Sequence, residues 1–147
     1  MRVAVVAPGG CSMATLPTVR DFMDTQVPTL SPTQDIHEAV AFFMERRVTG
    51  APVCDASGRV VGMLTEKDCL RLLALGHDGE IARGTVSDFM SKDVTSVTPE
   101  MNVYFLAGLF LKASFRRVPV LEQGKLVGAI TRFDILRVIH ARLQKPV

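Results

Sequence analysis

Val19-Arg20-Asp21-Phe22-Met23 returns 67 residues later as Val86-Ser87-Asp88-Phe89-Met90, and the same offset carries Val27 onto Val94 and Pro32 onto Pro99. A chain that repeats itself at this spacing is built from two copies of one supersecondary unit, so the fold has to be read as a pair. Each copy spans fewer than 60 residues, a size at which an isolated unit is marginal and gains by burying apolar surface against a twin.

The register continues through the copies. Ile36, Val40, Phe43 and Met44 map onto Val103, Ala107, Phe110 and Leu111. The i, i+4, i+7, i+8 spacing predicts a core-facing amphipathic helix in each copy. Ala51-Pro52-Val53 and Val118-Pro119-Val120 follow as short apolar segments whose proline suits the start or edge of a strand. Turns come next, Asp55-Ala56-Ser57-Gly58 in one copy and Glu122-Gln123-Gly124 in the other, which is shorter by one residue. Val60-Val61-Gly62-Met63-Leu64-Thr65 then matches Leu126-Val127-Gly128-Ala129-Ile130-Thr131, closing a hairpin whose turn glycines take positive φ. Asp68-Cys69-Leu70-Arg71 and Asp134-Ile135-Leu136-Arg137 fall in a second helix, which in the first copy stops near Gly76.

These landmarks divide the chain into a leader (1–18), a first repeat (19–75), a glycine-rich charged linker (76–85), a second repeat (86–142) and a short tail (143–147). The fold class is α/β (α+β): two repeats, each with two helices and a β-hairpin, packed with pseudo-two-fold symmetry. Two clefts between the copies follow from such pairing, and junctions of this kind favour small ligands.

Composition narrows the function. At 48% hydrophobic and 22% charged, the 147 residues make a folded globular chain. The net charge of +2 comes from scattered residues with no dense Lys/Arg run, so nucleic acid is not the expected partner. Cys11, Cys54 and Cys69 are odd in number and lack CxxC spacing, which indicates neither a disulfide framework nor a zinc site and fits a reducing cytoplasm. The segment from Met1 to Cys11 faintly resembles a secretion signal ending in a lipid-modified cysteine, but its apolar run is too short; it reads as a flexible leader or small strand. No stretch approaches the roughly 18 to 20 apolar residues of a membrane-spanning helix. His37, His77 and His140 fall in a helix, the linker and a C-terminal helix, so no catalytic constellation converges and the chain reads as a non-enzyme. Cys69 reads as small packing material on a helix.

The opening Val-x-Asp-Phe-Met, the strand with its central proline, and Val-Gly-x-x-Thr-x-x-Asp (Val61 to Asp68 and Val127 to Asp134), in that order and twice, resemble the cystathionine-β-synthase (CBS) domain. The tandem, over about residues 19 to 142, resembles the Bateman module that such domains form in pairs. The resemblance implies a small three-stranded sheet with two helices in each copy and a pair binding AMP, ADP or ATP, with S-adenosylmethionine a further candidate, in interfacial clefts, and it implies no reaction. Nothing is left over for a fused domain, so it implies a stand-alone sensor signalling to a regulated protein in trans. Any magnesium requirement stays open.

The same resemblance assigns phosphate to Thr65 and Thr131, ribose to Asp68 and Asp134, and the base to an apolar slot near Thr29-Leu30 and Ser96-Val97. Physical chemistry is consistent with this: helix N-termini attract phosphate, and a carboxylate accepts both hydrogen bonds of a diol. Thr-x-x-Asp is also a helix-capping box, and one threonine can do both. Arg116 and Arg117 precede the proline strand of the second copy, alternate in direction, and are either the phosphate-binding pair or a solvated basic pair. Thr49 and Gly50 stand at the matching places of the first copy, so the two clefts are chemically unequal. Arg46 and Arg47 sit where a helix ends and complement its dipole. A second reading is a structural homodimer indifferent to nucleotides, pairing through Leu70, Leu73, Leu136 and Ile139.

Overall fold

The structure, a computed structural model, describes residues 16–144 and the backbone of a short strand, β1 (Arg2–Val5); Cys11 and the rest of the leader lie outside the described residues. The first repeat contains α1 (Val19–Phe22), α2 (Ile36–Arg46), the strands β2 (Gly50–Cys54) and β3 (Val60–Thr65), and the short helices α3 (Glu66–Cys69) and α4 (Arg71–Ala74). The second contains α5 (Val86–Phe89), β4 (Asp93–Ser96), α6 (Val103–Lys112), β5 (Arg117–Glu122), β6 (Lys125–Thr131) and α7 (Arg132–Gln144). The mixed helix-and-strand class and the helix–hairpin–helix order expected of each copy are present.

Two compact units result, and each takes its short opening helix from the other repeat. Among the described residues, one comprises residues 2–4 and 28–94, and therefore includes α5; the other comprises residues 5, 16–27 and 95–144, and therefore includes α1. The exchange is fixed by backbone bonds. Val86 and Ser87 donate to the carbonyls of Gln34 and Pro32, while Val19 and Arg20 donate to those of Met101 and Pro99. The first N–H groups of a helix have no partner within it, so these carbonyls satisfy donors that would otherwise be orphaned.

In each unit the glycine of Val-Gly-x-x-Thr lets the exchanged segment approach. Met63 exchanges both backbone bonds with Ser91, and Ala129 does the same with Asp24. A Cβ on Gly62 would lie 2.5 Å from the Met90 sulfur and 2.9 Å from the Ser91 oxygen; on Gly128 it would meet the Asp24 oxygen at 2.8 Å and the Met23 sulfur at 2.9 Å. The two halves of the repeated signature, Phe-Met and Val-Gly, are thus packing partners.

The hairpins pair Gly50 with Thr65 and Arg117 with Thr131 at their open ends. Gly58 (φ 86°) and Gly124 (φ 79°) turn the chains with the left-handed backbone anticipated for them. The third strand of each sheet is a single parallel bridge, Leu30 to Val53 and Val97 to Val120. Pro28 and Pro32 flank Leu30, and Pro99 follows Val97; prolines lack the N–H a longer ladder needs.

One core lies in each unit: Leu30, Ile36, Ala39, Phe43, Val53 and Leu64 in the first, and Val97, Leu106, Phe110, Val118 and Ile130 in the second, with Val86 and Val19 joining from the exchanged helices. The buried helix face is Ile36, Ala39, Phe43 and Val103, Leu106, Phe110. Met44 and Leu111, expected in the core, are instead 75% and 89% exposed. Seven residues return a helix to within about 20° of its starting direction, whereas eight overshoot by about 80°, so these side chains leave the face. The second helix also differs between copies. It is continuous in α7, but in the first copy it breaks at Leu70, where Leu70 and Leu73 make i→i−3 bonds to Lys67 and Leu70.

Candidate functional site

Thr-x-x-Asp occurs four times, at Thr18, Thr65, Thr85 and Thr131, and each occurrence is a capping box. In every case the aspartate Oδ2 accepts from the threonine backbone N–H, at 2.8 to 2.9 Å. Capping is therefore common to all four, and only their surroundings distinguish them. Asp21 and Asp88 are exposed and begin four-residue helices; Asp134 is 8% exposed and begins the 13-residue α7. The Asp88 carboxyl is held below its usual range, first by the Thr85 N–H and then by the Thr85 hydroxyl.

The second unit gathers the densest set of predicted site residues. Arg117 stands opposite Thr131 across the β5–β6 ladder, and Thr131 caps α7 through Asp134, whose Oδ2 also accepts from the Thr131 hydroxyl at 3.1 Å. The Arg117 Nε is buried and has no hydrogen-bond partner. A buried donor of this kind costs free energy until something accepts from it, which makes it a candidate anion contact. Arg116 is exposed just before β5, and its carbonyl accepts from the Arg132 N–H.

Thr65 and Asp68 repeat the cap in the first unit, at 2.9 and 3.1 Å, with Gly50 where the second unit has Arg117. The charge difference between copies is thus carried at one ladder position. Thr29 is exposed, whereas Leu30, Ser96 and Val97 are buried. The N–H and carbonyl of Leu30 bond Pro52 and Cys54, and those of Val97 bond Pro119 and Leu121. The backbone groups of Leu30 and Val97 are therefore engaged in the sheet and are not available to read a base edge.

Two arginines in the matched helix segments were not singled out in the sequence, although both copies carry them. Arg137 donates to Asp134 Oδ1 at 3.2 Å, and its guanidinium lies 5.9 Å from the centre of the Phe22 ring. Arg71 lies 5.5 Å from the centre of the Phe89 ring and donates to the Phe89 carbonyl. Phe22, Phe133, Leu136, Arg137, His140 and Ala141 line an open groove of about 450 Å³. Burial, and then Asp68, push the Cys69 thiol up, away from the activated thiolate range. Among the described residues no cluster of three or more His, Cys, Asp or Glu side chains could hold a metal, and no helix is long and apolar enough to cross a membrane.

The sequence profile of the CBS domain matches residues 19–75 and 86–141. The chain belongs to the CBS-domain family. It is 37% identical over 119 residues to the CBS domain-containing protein YhcV of Bacillus subtilis, covering 80% of this chain and 82% of that one. It is 33% identical over 122 residues to the uncharacterized protein MJ1225 of Methanocaldococcus jannaschii; this covers 82% of the chain but only 42% of that relative, so the chain spans less than half its length. Among solved structures, CBSX2 in complex with AMP superposes with a TM-score of 0.75 at 30% identity, covering 86% of this chain and 98% of that one. The repeats recognised in the sequence are thus a CBS-domain pair.

Proposed function

We propose that this CBS-domain pair is a regulatory module that binds an adenine nucleotide through its second unit and signals to a protein partner. The carrying observation is the buried, unpartnered Arg117 Nε opposite Thr131. In this reading Arg117 holds phosphate at the Thr131 end of α7, where the Arg132 and Asp134 N–H groups and the Thr131 hydroxyl already have partners, with Arg116 adding charge from the exposed side. Asp134 accepts from the ribose hydroxyls, and the base lies toward the Ser96-Val97 segment. Asp68 and Thr65 form the weaker counterpart, with Thr29 and Leu30 beside them and no cation at Gly50. The complex of CBSX2 with AMP, on a similar fold, supports an adenylate as the ligand.

Thermal unfolding with AMP, ADP, ATP and S-adenosylmethionine tests the reading: a ligand that binds the folded state raises Tm with concentration. Stabilisation by at least one adenylate, reduced in Arg117→Ala, is expected. Unchanged Tm with all four at millimolar concentration would contradict it.

Exposed Leu70, Leu73 and Leu75 on one unit and Phe133, Leu136 and Ile139 on the other favour a second reading, homodimerisation through these helices. Light scattering of wild type against Leu73→Glu and Leu136→Glu tests it; a dimer split by either variant, indifferent to nucleotide, supports pairing as the function.

A further inference from the structure

We propose that Arg137 couples occupancy of Asp134 to the shape of the groove on α7, a regulatory role that rests on the nucleotide reading above. Asp134 has one carboxylate oxygen engaged by the Thr131 N–H and hydroxyl, at 2.8 and 3.1 Å. Its other oxygen, Oδ1, is held by Arg137 at 3.2 Å. The aspartate side chain is only 11% exposed, so a ribose diol and the guanidinium compete for the same oxygen in a confined space. Oδ2 already accepts two bonds, so a diol that donates both hydroxyls needs both acceptor positions of Oδ1, and Arg137 then has to tilt away.

That movement does not stay local. The same guanidinium lies over the Phe22 ring, and Arg137 and Phe22 are both walls of the groove that Phe133, Leu136, His140 and Ala141 complete. Phe22 belongs to α1, the helix exchanged from the other repeat, and α1 is docked by the backbone bonds of Val19 and Arg20 and by the Arg20 ion pairs to Glu100 and Glu122. A ligand at Asp134 therefore alters the contact between α7 and α1 through one side chain.

The first copy supplies the internal contrast. Arg71 holds the equivalent position, three residues after Asp68, but it donates to the Phe89 carbonyl, and its guanidinium makes no bond to Asp68. Asp68 Oδ2 accepts from Thr65 as Asp134 Oδ2 does from Thr131, with no arginine on Oδ1. The coupling device is confined to the unit that also carries Arg117.

The test is side-chain NMR of the full chain, following the Arg137 Nε–H, the Phe22 ring and the His140 imidazole during titration with AMP and with 2′,3′-dideoxy-AMP. AMP is expected to shift all three groups in proportion to saturation. Dideoxy-AMP, with the phosphate but no diol, is expected to bind more weakly and leave them in place. Arg137→Gln, which removes the charge and shortens the side chain, should tighten AMP about two- to five-fold by freeing a carboxylate whose arginine partner is half-exposed. AMP binding that depends on Asp134 but leaves the Arg137 and Phe22 signals unmoved would overturn the coupling while the nucleotide reading stands. No AMP binding to folded protein would overturn both.

Discussion

Arg117 and Thr131 are direct cross-strand partners at the open end of the second hairpin, and Gly50 and Thr65 occupy the same relationship in the first. A single residue type thus separates a site with a cation from one without. A Cβ on Gly50 would lie 3.4 Å from the Leu64 oxygen and 3.4 Å from the Thr65 methyl, an ordinary contact, so a Cβ is accommodated there. Gly50→Arg should keep the fold and add nucleotide binding to the first unit. Calorimetric stoichiometry is the check: a rise from one AMP per chain to two is expected, and unchanged stoichiometry in folded variant would count against arginine as the deciding group.

The four capping boxes separate stability from binding. Thr85→Ala and Thr131→Ala should each lower stability by about 1 kcal/mol, the usual cost of a lost N-cap. Only Thr131→Ala should also weaken AMP. Paired urea denaturation and calorimetry distinguish the two effects; equal loss of binding in both variants would mean the cap acts through stability alone.

Gly62→Ala and Gly128→Ala should be destabilising out of proportion to one methyl group, because the new Cβ meets Met90 and Ser91, or Met23 and Asp24, below 3.0 Å. Overpacking of this kind costs about 1–3 kcal/mol. Thermal unfolding checks it, with Gly108→Ala as the contrast: inside α6, where a Cβ meets nothing within 4 Å, it should stabilise by about 0.5–1 kcal/mol.

Acid should loosen the surface caps in a predictable window. Asp55 is held below its usual range by the Ser57 hydroxyl first and then the Arg59 N–H, and Asp88 by the Thr85 N–H. A carboxylate with a lowered folded pKa stabilises the fold fully above its unfolded value, about 3.9 for aspartate, and that contribution is lost as pH falls through the folded value. Urea midpoints should therefore hold from pH 7 to about 5 and fall below about 4, with Asp88→Asn showing a shallower fall.

The repeat and the hairpins were legible because they rest on local pattern: two matching runs, turn glycines, and a threonine closing each strand. The exchange of α1 and α5 was not, since Val19–Met23 and Val86–Met90 are nearly the same sequence and either could dock on either hairpin. The helix face was legible to within one residue: Ile36 and Phe43 are buried, but Ala39 rather than Val40 completes the row, and Met44 points outward. Arg71 and Arg137 share a sequence position yet choose different acceptors, a distinction that packing around Phe89 and Phe22 makes and pattern does not record. The fourfold Thr-x-x-Asp is itself a sequence pattern, and its recurrence at two exposed four-residue helices means that capping alone selects no site.

The central claim, that the second unit binds an adenine nucleotide, is tested most directly by calorimetric titration of AMP into nucleotide-stripped wild-type protein, Arg117→Ala and Asp134→Ala. Saturable binding of one AMP per chain is predicted, weakened about 10- to 100-fold by Arg117→Ala, as expected for loss of a hydrogen bond to a charged group worth ~1.5–3 kcal/mol, and lost or similarly weakened in Asp134→Ala. Binding that survives both substitutions unchanged, or no binding to folded wild type, would contradict it.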